Sequence, residues 1–416
     1  MAPVPLNSSA DSSRHTAGSH AAGMGADGAA RAYDLIVAGA GGVGSAAAYH
    51  AAHSGRRVLL LEQFAVGHTR GSSHGGSRII RYTHDSPGLA GQMPATFQLW
   101  HELERESGAR LLQLTGGLYM ARQEDAWLAG CQATLEELGF SHQVMDAAGL
   151  RRAYPQFNLP DGWRALYQAN TGILSATRCV ETMVAQAQQH GAEVRTETPV
   201  LAVQPDGEGV TVQLASGERV RGSRAILAAG PWSGRFLAEL LDFGVPLRVT
   251  QQQVAYYAVQ DPAAYAVGTF PIFITALEDH LYGFPIWERA GSIKVALEQT
   301  ARTVDPDGPR AVDDELLARL SALVATYLPG VDPAPVHVEP CLYTETPTRD
   351  FVIDRHPHHP QIVIAAGFSG RGFKHTIAVG KLLVDLAFSG PGVYGGPFWQ
   401  DSYRITRFAQ TQTPTA

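Results

Sequence analysis

The stretch from Tyr33 to Glu62 constrains this chain more than any other. Tyr33-Asp-Leu-Ile-Val-Ala38 is a short apolar run of the kind that forms a strand buried on both faces. Gly39-Ala-Gly-Gly-Val-Gly44 follows and sets Gly39, Gly41 and Gly44 in a G-x-G-x-x-G pattern. An Ala-rich helix is expected over 43–53, and Arg57-Val-Leu-Leu-Leu61 reads as a second strand ending at Glu62. Such a strand–helix–strand unit opens a doubly wound sheet. The first glycine permits a tight turn, the second lets backbone approach a pyrophosphate, and the third lets helix and strand pack closely. The helix N-terminus then offers free N–H groups and its positive dipole end to the phosphates. An acid at the tip of the second strand takes the ribose hydroxyls, and Glu62 stands at that position. The pattern predicts a bound dinucleotide without separating NAD from FAD.

Elements of both kinds recur along the chain. Helical periodicity is expected near 98–106, 126–138, 176–190, 314–328 and 373–388. The segment 200–220 reads as an antiparallel meander with turns at Asp206-Gly207 and Ser216-Gly217, and 247–299 is β-rich. Ala225-Ile-Leu-Ala-Ala-Gly230 and Ile362-Val-Ile-Ala-Ala366 read as core strands. The first 31 residues are rich in Ala, Gly and Ser and lack the apolar core of a signal peptide, so a disordered leader is expected there. The interleaving predicts a two-lobed α/β fold. A Rossmann-like dinucleotide-binding domain is assembled from 32–87, 160–242 and 336–408. A substrate domain with a mostly antiparallel β-sheet comes from 88–159 and 243–335.

Composition works by exclusion. Lys plus Arg number 32 and Asp plus Glu 39, a net charge of −7, which argues against a nucleic-acid partner. With 45% hydrophobic and 17% charged residues, the chain can bury a large core and is not disordered throughout. No apolar stretch reaches the ~18 residues of a membrane span. Three cysteines make no disulfide framework and lack metal-ligand spacing, so no metal site is expected and a reducing, cytoplasmic setting is.

Four further segments carry chemistry: Gly71-Ser-Ser-His-Gly-Gly-Ser-Arg-Ile-Ile-Arg81; Tyr282-Gly-Phe-Pro285 with Ser292-Ile-Lys-Val295; Cys341-Leu-Tyr-Thr-Glu-Thr-Pro347 with Phe351-Val-Ile-Asp354; and Ala365-Ala-Gly-Phe-Ser-Gly-Arg-Gly-Phe-Lys374. In this order and spacing they resemble the monomeric sarcosine oxidase and N-methyltryptophan oxidase family, within the D-amino-acid-oxidase-like flavoproteins. The resemblance implies FAD as cofactor, held by Gly39, Gly41, Val43, Gly44, Glu62, Gln63, Ser72, Arg78, Val200, Gly370, Gly372, Phe373 and Lys374. It also implies a covalent bond from the Cys341 sulfur to the flavin 8α-methyl, chemistry that needs a thiolate. Taken alone, Cys341 reads first as a buried structural cysteine, as do Cys131 and Cys179.

By the same resemblance, Arg78 lies against one flavin face, and Arg81 and Lys374 hold the substrate carboxylate, a role that suits a planar guanidinium. Lys294 sits over the flavin, where its charge favours electron transfer to oxygen by stabilising superoxide; alternation alone would let it face solvent. His74 stands beside the flavin, with a purely structural histidine as the alternative. Tyr282 and Tyr343 line the substrate cavity. The turn at 367–372 opens a helix whose dipole steadies negative charge on the reduced ring.

Several positions depart from the family. Glu298 stands where sarcosine oxidases carry a histidine near the substrate amine. Ser73 replaces a frequent histidine. Trp287-Glu-Arg-Ala-Gly291 makes a turn one residue longer, and 85–90 differs from the family's loop over the substrate. These changes bear on substrate identity rather than on flavin chemistry. The expected activity is oxidation of a secondary amino acid, N-alkyl or cyclic, to an imine, with oxygen reduced to hydrogen peroxide. The enzyme is expected to be a monomer with no nucleic-acid or membrane partner. A biosynthetic imine oxidase or desaturase is the alternative that Glu298 leaves open. A flavin-binding subunit without turnover is a third, opposed by Lys294, Arg81 and Lys374.

Overall fold

The computed structural model describes residues 33–277, 280–298, 302–390 and 396–411. The expected leader, 1–31, lies outside them. The apolar runs of the opening unit become Leu35–Ala38 and Val58–Leu61, paired in parallel and buried at every position. They centre a six-stranded sheet ordered Val352–Arg355, Ile362–Ala366, Ala225–Leu227, Leu35–Ala38, Val58–Leu61, Glu193–Arg195. Every pairing in it is parallel except that of the first two strands. From Leu35–Ala38 the chain moves outward to one side and later returns on the other. That makes a topological switch point, where open α/β sheets bind ligands outside the strand carboxyl ends.

Both faces of this sheet are covered, as a parallel sheet requires. Helices Gly42–His53, Ala176–Gln189 and Thr376–Phe388 pack on one side. The alanines of the first helix let its neighbours come close, with Ala46, Ala47, Met183, Val184, Ile377 and Leu383 in one core. The meander Val200–Asp206, Gly209–Leu214, Arg219–Gly222 covers the other side, packing Val203, Val210 and Val212 on Ile36 and Leu59.

The second large sheet runs Val331–Glu345, Arg248–Val259, Ser292–Leu297, Leu281–Phe284, Ile272–Thr275, Gly117–Arg122, Trp163–Gln168, Gln143–Asp146. All its pairings are antiparallel except Ile272–Thr275 with Gly117–Arg122. Helix Asp314–Tyr327 packs Leu320 and Val324 into the core on this sheet. A small sheet of Arg78–Ile80, Gly172–Leu174 and Leu112–Leu114 fixes the start of the Arg78 strand. The described residues form one compact unit.

The strand Val331–Glu345 was not anticipated. Pro333, Pro335 and Pro340 interrupt its pattern, and proline is confined to sheet edges because it cannot donate to the ladder. The structure makes it an edge strand, with register shifts near Tyr256 and Tyr257, opposite Pro335. Trp163–Gln168 and Val331–Glu345, which fall within the expected dinucleotide-binding segments 160–242 and, from 336 on, 336–408, pair in the large antiparallel sheet. Among the described residues no helix is long and apolar enough to cross a membrane.

Candidate active site

One cavity joins the two sheets. The carboxyl ends of the parallel strands line it at Ala38, Leu61 and Ala228, and the antiparallel sheet lines it at Val254, Phe284, Lys294 and Cys341. Of the residues expected to bind cofactor or substrate, Gly39, Gly41, Val43, Glu62, Gln63, Ser72, His74, Arg78, Arg81, Val200, Tyr282, Lys294, Glu298, Cys341, Tyr343, Gly370, Gly372, Phe373 and Lys374 all line it. Gly44 does not; it sits behind the wall, against the Gly39 carbonyl.

At the dinucleotide end Gly39 has φ +101°, a left-handed conformation that favours glycine. Glu62 is buried and accepts the Ala40 N–H at 2.7 Å and the Phe64 N–H at 2.9 Å. Burial raises its carboxyl, and these backbone donors oppose the rise. Ser73, one of the departures from the family, accepts the Gly42 N–H at 3.0 Å and so ties the 71–78 segment to the helix N-terminus. His68 and Trp232 also line this end and carry no local sequence signal.

Lys294 stands in the middle of the cavity wall, 6% exposed, on a strand buried at every position. Its Nζ donates to Ser77 Oγ and to Glu288 Oε1, both at 2.7 Å. Glu288 was not anticipated, because its turn looked like an insertion. Arg78 donates to the carbonyls of Ser77 at 2.8 Å and Ser72 at 3.1 Å, which holds its guanidinium across the wall. His74 is buried, with its imidazole lowered to about 4 by burial and by Arg78, so the ring is neutral. Cys341 is the one of three cysteines that lines the cavity.

The far end is cationic and aromatic. Arg81 lies 5.5 Å from the Tyr119 ring, and its Nη1 is buried without a hydrogen-bond partner. Lys374 donates to the Arg371 carbonyl at 3.0 Å. Burial, then Arg81 and Arg371, push its ammonium well below the usual lysine range. Glu298 is ion-paired with Arg349, which comes from the turn after the Cys341 strand. Burial raises the Glu298 carboxyl, but Arg349 outweighs it and holds the carboxyl below its ordinary value. Tyr282 and Tyr343 are half-buried, and burial raises both phenols, so both stay protonated. A buried guanidinium nitrogen without an acceptor is costly, and an anion in this chamber would satisfy it.

Outside the cavity, the ligand atoms of His53, Glu106 and His190 lie within 4.8 Å of one another. These side chains are partly exposed and already bond to each other through Glu106 Oε1.

A crevice at a switch point, continuous with a cationic aromatic chamber, defines an oxidoreductase that pairs a dinucleotide with a small anionic substrate. The model of the FAD dependent oxidoreductase (DAO) family matches residues 34–386, and the chain belongs to that family. Among its relatives, the peroxisomal sarcosine oxidase of Homo sapiens is 36% identical over 90% of this chain and 96% of its own length. The monomeric sarcosine oxidase of Streptomyces avermitilis is 32% identical, over 86% and 94%. The N-methyl-L-tryptophan oxidase of Escherichia coli is 29% identical, over 85% and 95%. Among solved structures, NikD, an unusual amino acid oxidase essential for nikkomycin biosynthesis, superposes with a TM-score of 0.78 at 26% identity, covering 88% of this chain and 96% of its own.

The residues present fit FAD. The glycine turn, the helix N-terminus and Glu62 are arranged for the adenosine diphosphate half. Arg78, Lys294 and Cys341 line the same cavity and would hold the flavin half.

Proposed function

We propose that the chain is an FAD-dependent oxidase of a secondary amino acid, N-alkyl or cyclic. The observation that carries this reading is the pair of basic side chains, half-buried Arg81 and buried Lys374, with an unsatisfied guanidinium nitrogen in the same cavity as the dinucleotide crevice. A carboxylate held by both takes one orientation, which turns a chance encounter into a directed one. Bound FAD supplies the two-electron acceptor. The substrate gives up two electrons and two protons and becomes an imine, and oxygen takes up the equivalent to form hydrogen peroxide. Tyr282 and Tyr343 form the aromatic wall of the substrate chamber. Lys294 supplies the charge that favours oxygen reduction. The names of two relatives point the same way, since sarcosine and N-methyltryptophan are both N-methyl amino acids.

Among the described residues of the substrate chamber, the carboxylate, imidazole and phenol groups are each held away from the role of a base. Glu298 is held by Arg349, His74 is depressed by burial, and the phenols are raised. The amine must therefore enter neutral. The rate of anaerobic flavin reduction is expected to climb with pH through an amine-like pKa and then level off. A profile that stays flat across that range would count against this mechanism. The reading as a whole is tested by anaerobic bleaching with sarcosine, N-methyltryptophan, proline and pipecolate. Failure of every one would favour a flavin-binding subunit without turnover.

The attachment point for FAD is Cys341 in this reading. Burial pushes its thiol up on balance, and Arg78, Lys294 and Arg310 partly oppose that rise. Cys131 and Cys179 lie in apolar clusters, and burial raises both thiols, that of Cys131 to about 12. Acid precipitation is expected to leave the yellow colour in the pellet of the native protein and in the supernatant of Cys341→Ser. A colourless native pellet, or a yellow variant pellet, removes the claim.

A second reading, a biosynthetic imine oxidase, is favoured by the Glu298–Arg349 pair beside the amine chamber and by the likeness to NikD. Its product would keep its nitrogen, so product mass separates the two. Three unpaired cysteines suit a reducing cytoplasm, and the Streptomyces relative's name suits a monomer.

A further inference from the structure

We propose that Glu288 is the positioning residue of the oxygen step: its carboxylate anchors Lys294 in the cavity wall and holds it as an ammonium. The inference rests on the reading that the Lys294 charge serves the reaction with oxygen.

The chain contains three lysines, Lys294, Lys374 and Lys381, and all its other basic residues of this kind are arginine. Only Lys381 is exposed; the other two line the cavity. An ammonium differs from a guanidinium in being compact and in losing its proton readily when buried. At 6% exposure Lys294 would lose its charge to desolvation unless something opposed it.

Glu288 is built to oppose it. Its Oε1 lies 2.7 Å from Nζ and also accepts the Ser77 hydroxyl, which itself takes a bond from Nζ, so the three groups close a ring. Its Oε2 accepts the Gly76 N–H at 2.8 Å and the Tyr256 hydroxyl at 2.9 Å. Both oxygens are therefore fixed. Burial raises this carboxyl, but Lys294, Ser77 and Gly76 outweigh it and hold it down to about 2, so it stays ionised. The neighbouring Trp287 clamps the same turn, donating Nε1 to the Gly76 carbonyl at 3.0 Å. Residue 76 must be small for this to work: a Cβ there would sit 2.6 Å from Glu288 Cγ.

The other groups facing Lys294 do not replace Glu288. From the 71–78 segment, Arg78 pushes the ammonium down, and His74 is neutral. From Arg248–Val259, the Tyr256 ring lies 5.8 Å from Nζ, and its phenol is raised by burial and by Glu288. From Val331–Glu345, Cys341 has its thiol raised by burial, and Glu339 supports the ammonium. Glu339 is shared, however, with His337 Nε2 at 2.9 Å and with Arg289 at 3.8 Å.

Three lysines make a direct measurement feasible. In the holoenzyme labelled with 13C at lysine Cε, the Lys294 signal is the one missing from Lys294→Met. Native Lys294 is expected to titrate below the ordinary lysine range. Glu288→Gln is expected to lower that midpoint by a further ~1–3 pH units, the usual effect of removing an adjacent opposite charge. The rate with oxygen should then fall with rising pH through the new midpoint, while flavin reduction by the amine keeps its own profile. Gly76→Ala, which crowds Glu288 without removing a charge, should move the midpoint the same way by less, and it decides the matter if Glu288→Gln fails to fold. An unmoved Lys294 midpoint in the folded variant overturns the proposal. If instead the midpoint moves but Lys294→Met reacts normally with oxygen, Glu288 sets the charge and the oxygen role of Lys294 is wrong.

Discussion

Lys294→Met is expected to slow the reaction of the reduced enzyme with oxygen by ~10²–10³-fold, the scale of losing one pre-oriented electrostatic contact. Oxygen gains negative charge as it accepts its first electron, and a cation already in place stabilises that charge without reorganising. At an effective dielectric of ~20, two unit charges ~4 Å apart interact by about 4 kcal/mol, which corresponds to about three powers of ten in rate. Methionine keeps the length and the apolar contact with Phe284, whose ring centre lies 5.2 Å from Nζ. The amine half-reaction should survive, because Lys294 bonds to Ser77 and Glu288 while Arg81 and Lys374 make the anion chamber. Stopped-flow measurement separates the two halves. Equal loss in both would mean that Lys294 only holds the wall together. The substitution also leaves Glu288 buried without its partner, which typically costs ~3–5 kcal/mol. The double variant Lys294→Met/Glu288→Gln should therefore regain thermal stability and not regain oxygen reactivity, a split that a purely structural lysine could not produce.

Glu288 also shows where sequence reading stops. Its partner Ser77 is 211 positions away, and nothing in the spacing of either residue points to the other. What the sequence offers at Trp287-Glu-Arg-Ala-Gly291 is an apparent one-residue extension of a turn, a feature with no chemistry of its own until the turn is seen folded onto Gly76. Glu298 has the same history. Its position in a β-rich segment was legible, but its pairing with Arg349 depends on a turn 51 residues later, where Arg349 adopts φ +61°. Conversely, Leu35–Ala38 and Ile362–Ala366 were legible because a strand buried on both faces leaves an unbroken apolar run, whatever lies around it. The edge strand Val331–Glu345 leaves the opposite trace: one side of its ladder is free, so prolines are tolerated and the pattern breaks up. Lys294, Cys341 and Lys374 were placed by motif resemblance, and the structure brings them to one cavity. The charges that tune them came only with the fold.

The second large effect is expected at Gly44. A Cβ there would lie 1.8 Å from the Gly39 carbonyl oxygen and 3.0 Å from its carbon, with the Ala228 side chain 3.3 Å away. The obstacle is backbone, not the end of a flexible side chain, so it cannot swing aside. Helix Gly42–His53 would have to lift from Leu35–Ala38, and the lift would open the core of alanines that its neighbouring helices share. Overpacking of this kind typically costs ~1–3 kcal/mol, and displacement of the phosphate-facing N–H groups adds a loss of cofactor. FAD must be seated before Cys341 can capture it, so Gly44→Ala should purify with flavin content reduced at least ~10-fold and with a lower Tm. Gly41→Ala separates the two causes. Its Cβ would meet only Ser73 Oγ at 3.5 Å, an ordinary contact, yet Gly41 lines the cavity where Gly44 does not. That variant should keep the Tm of flavin-free native protein while binding FAD poorly. If Gly41→Ala loses as much intrinsic stability as Gly44→Ala, the division between an approach glycine and a packing glycine is wrong. The fingerprint would then act as a single steric unit rather than as three separate requirements.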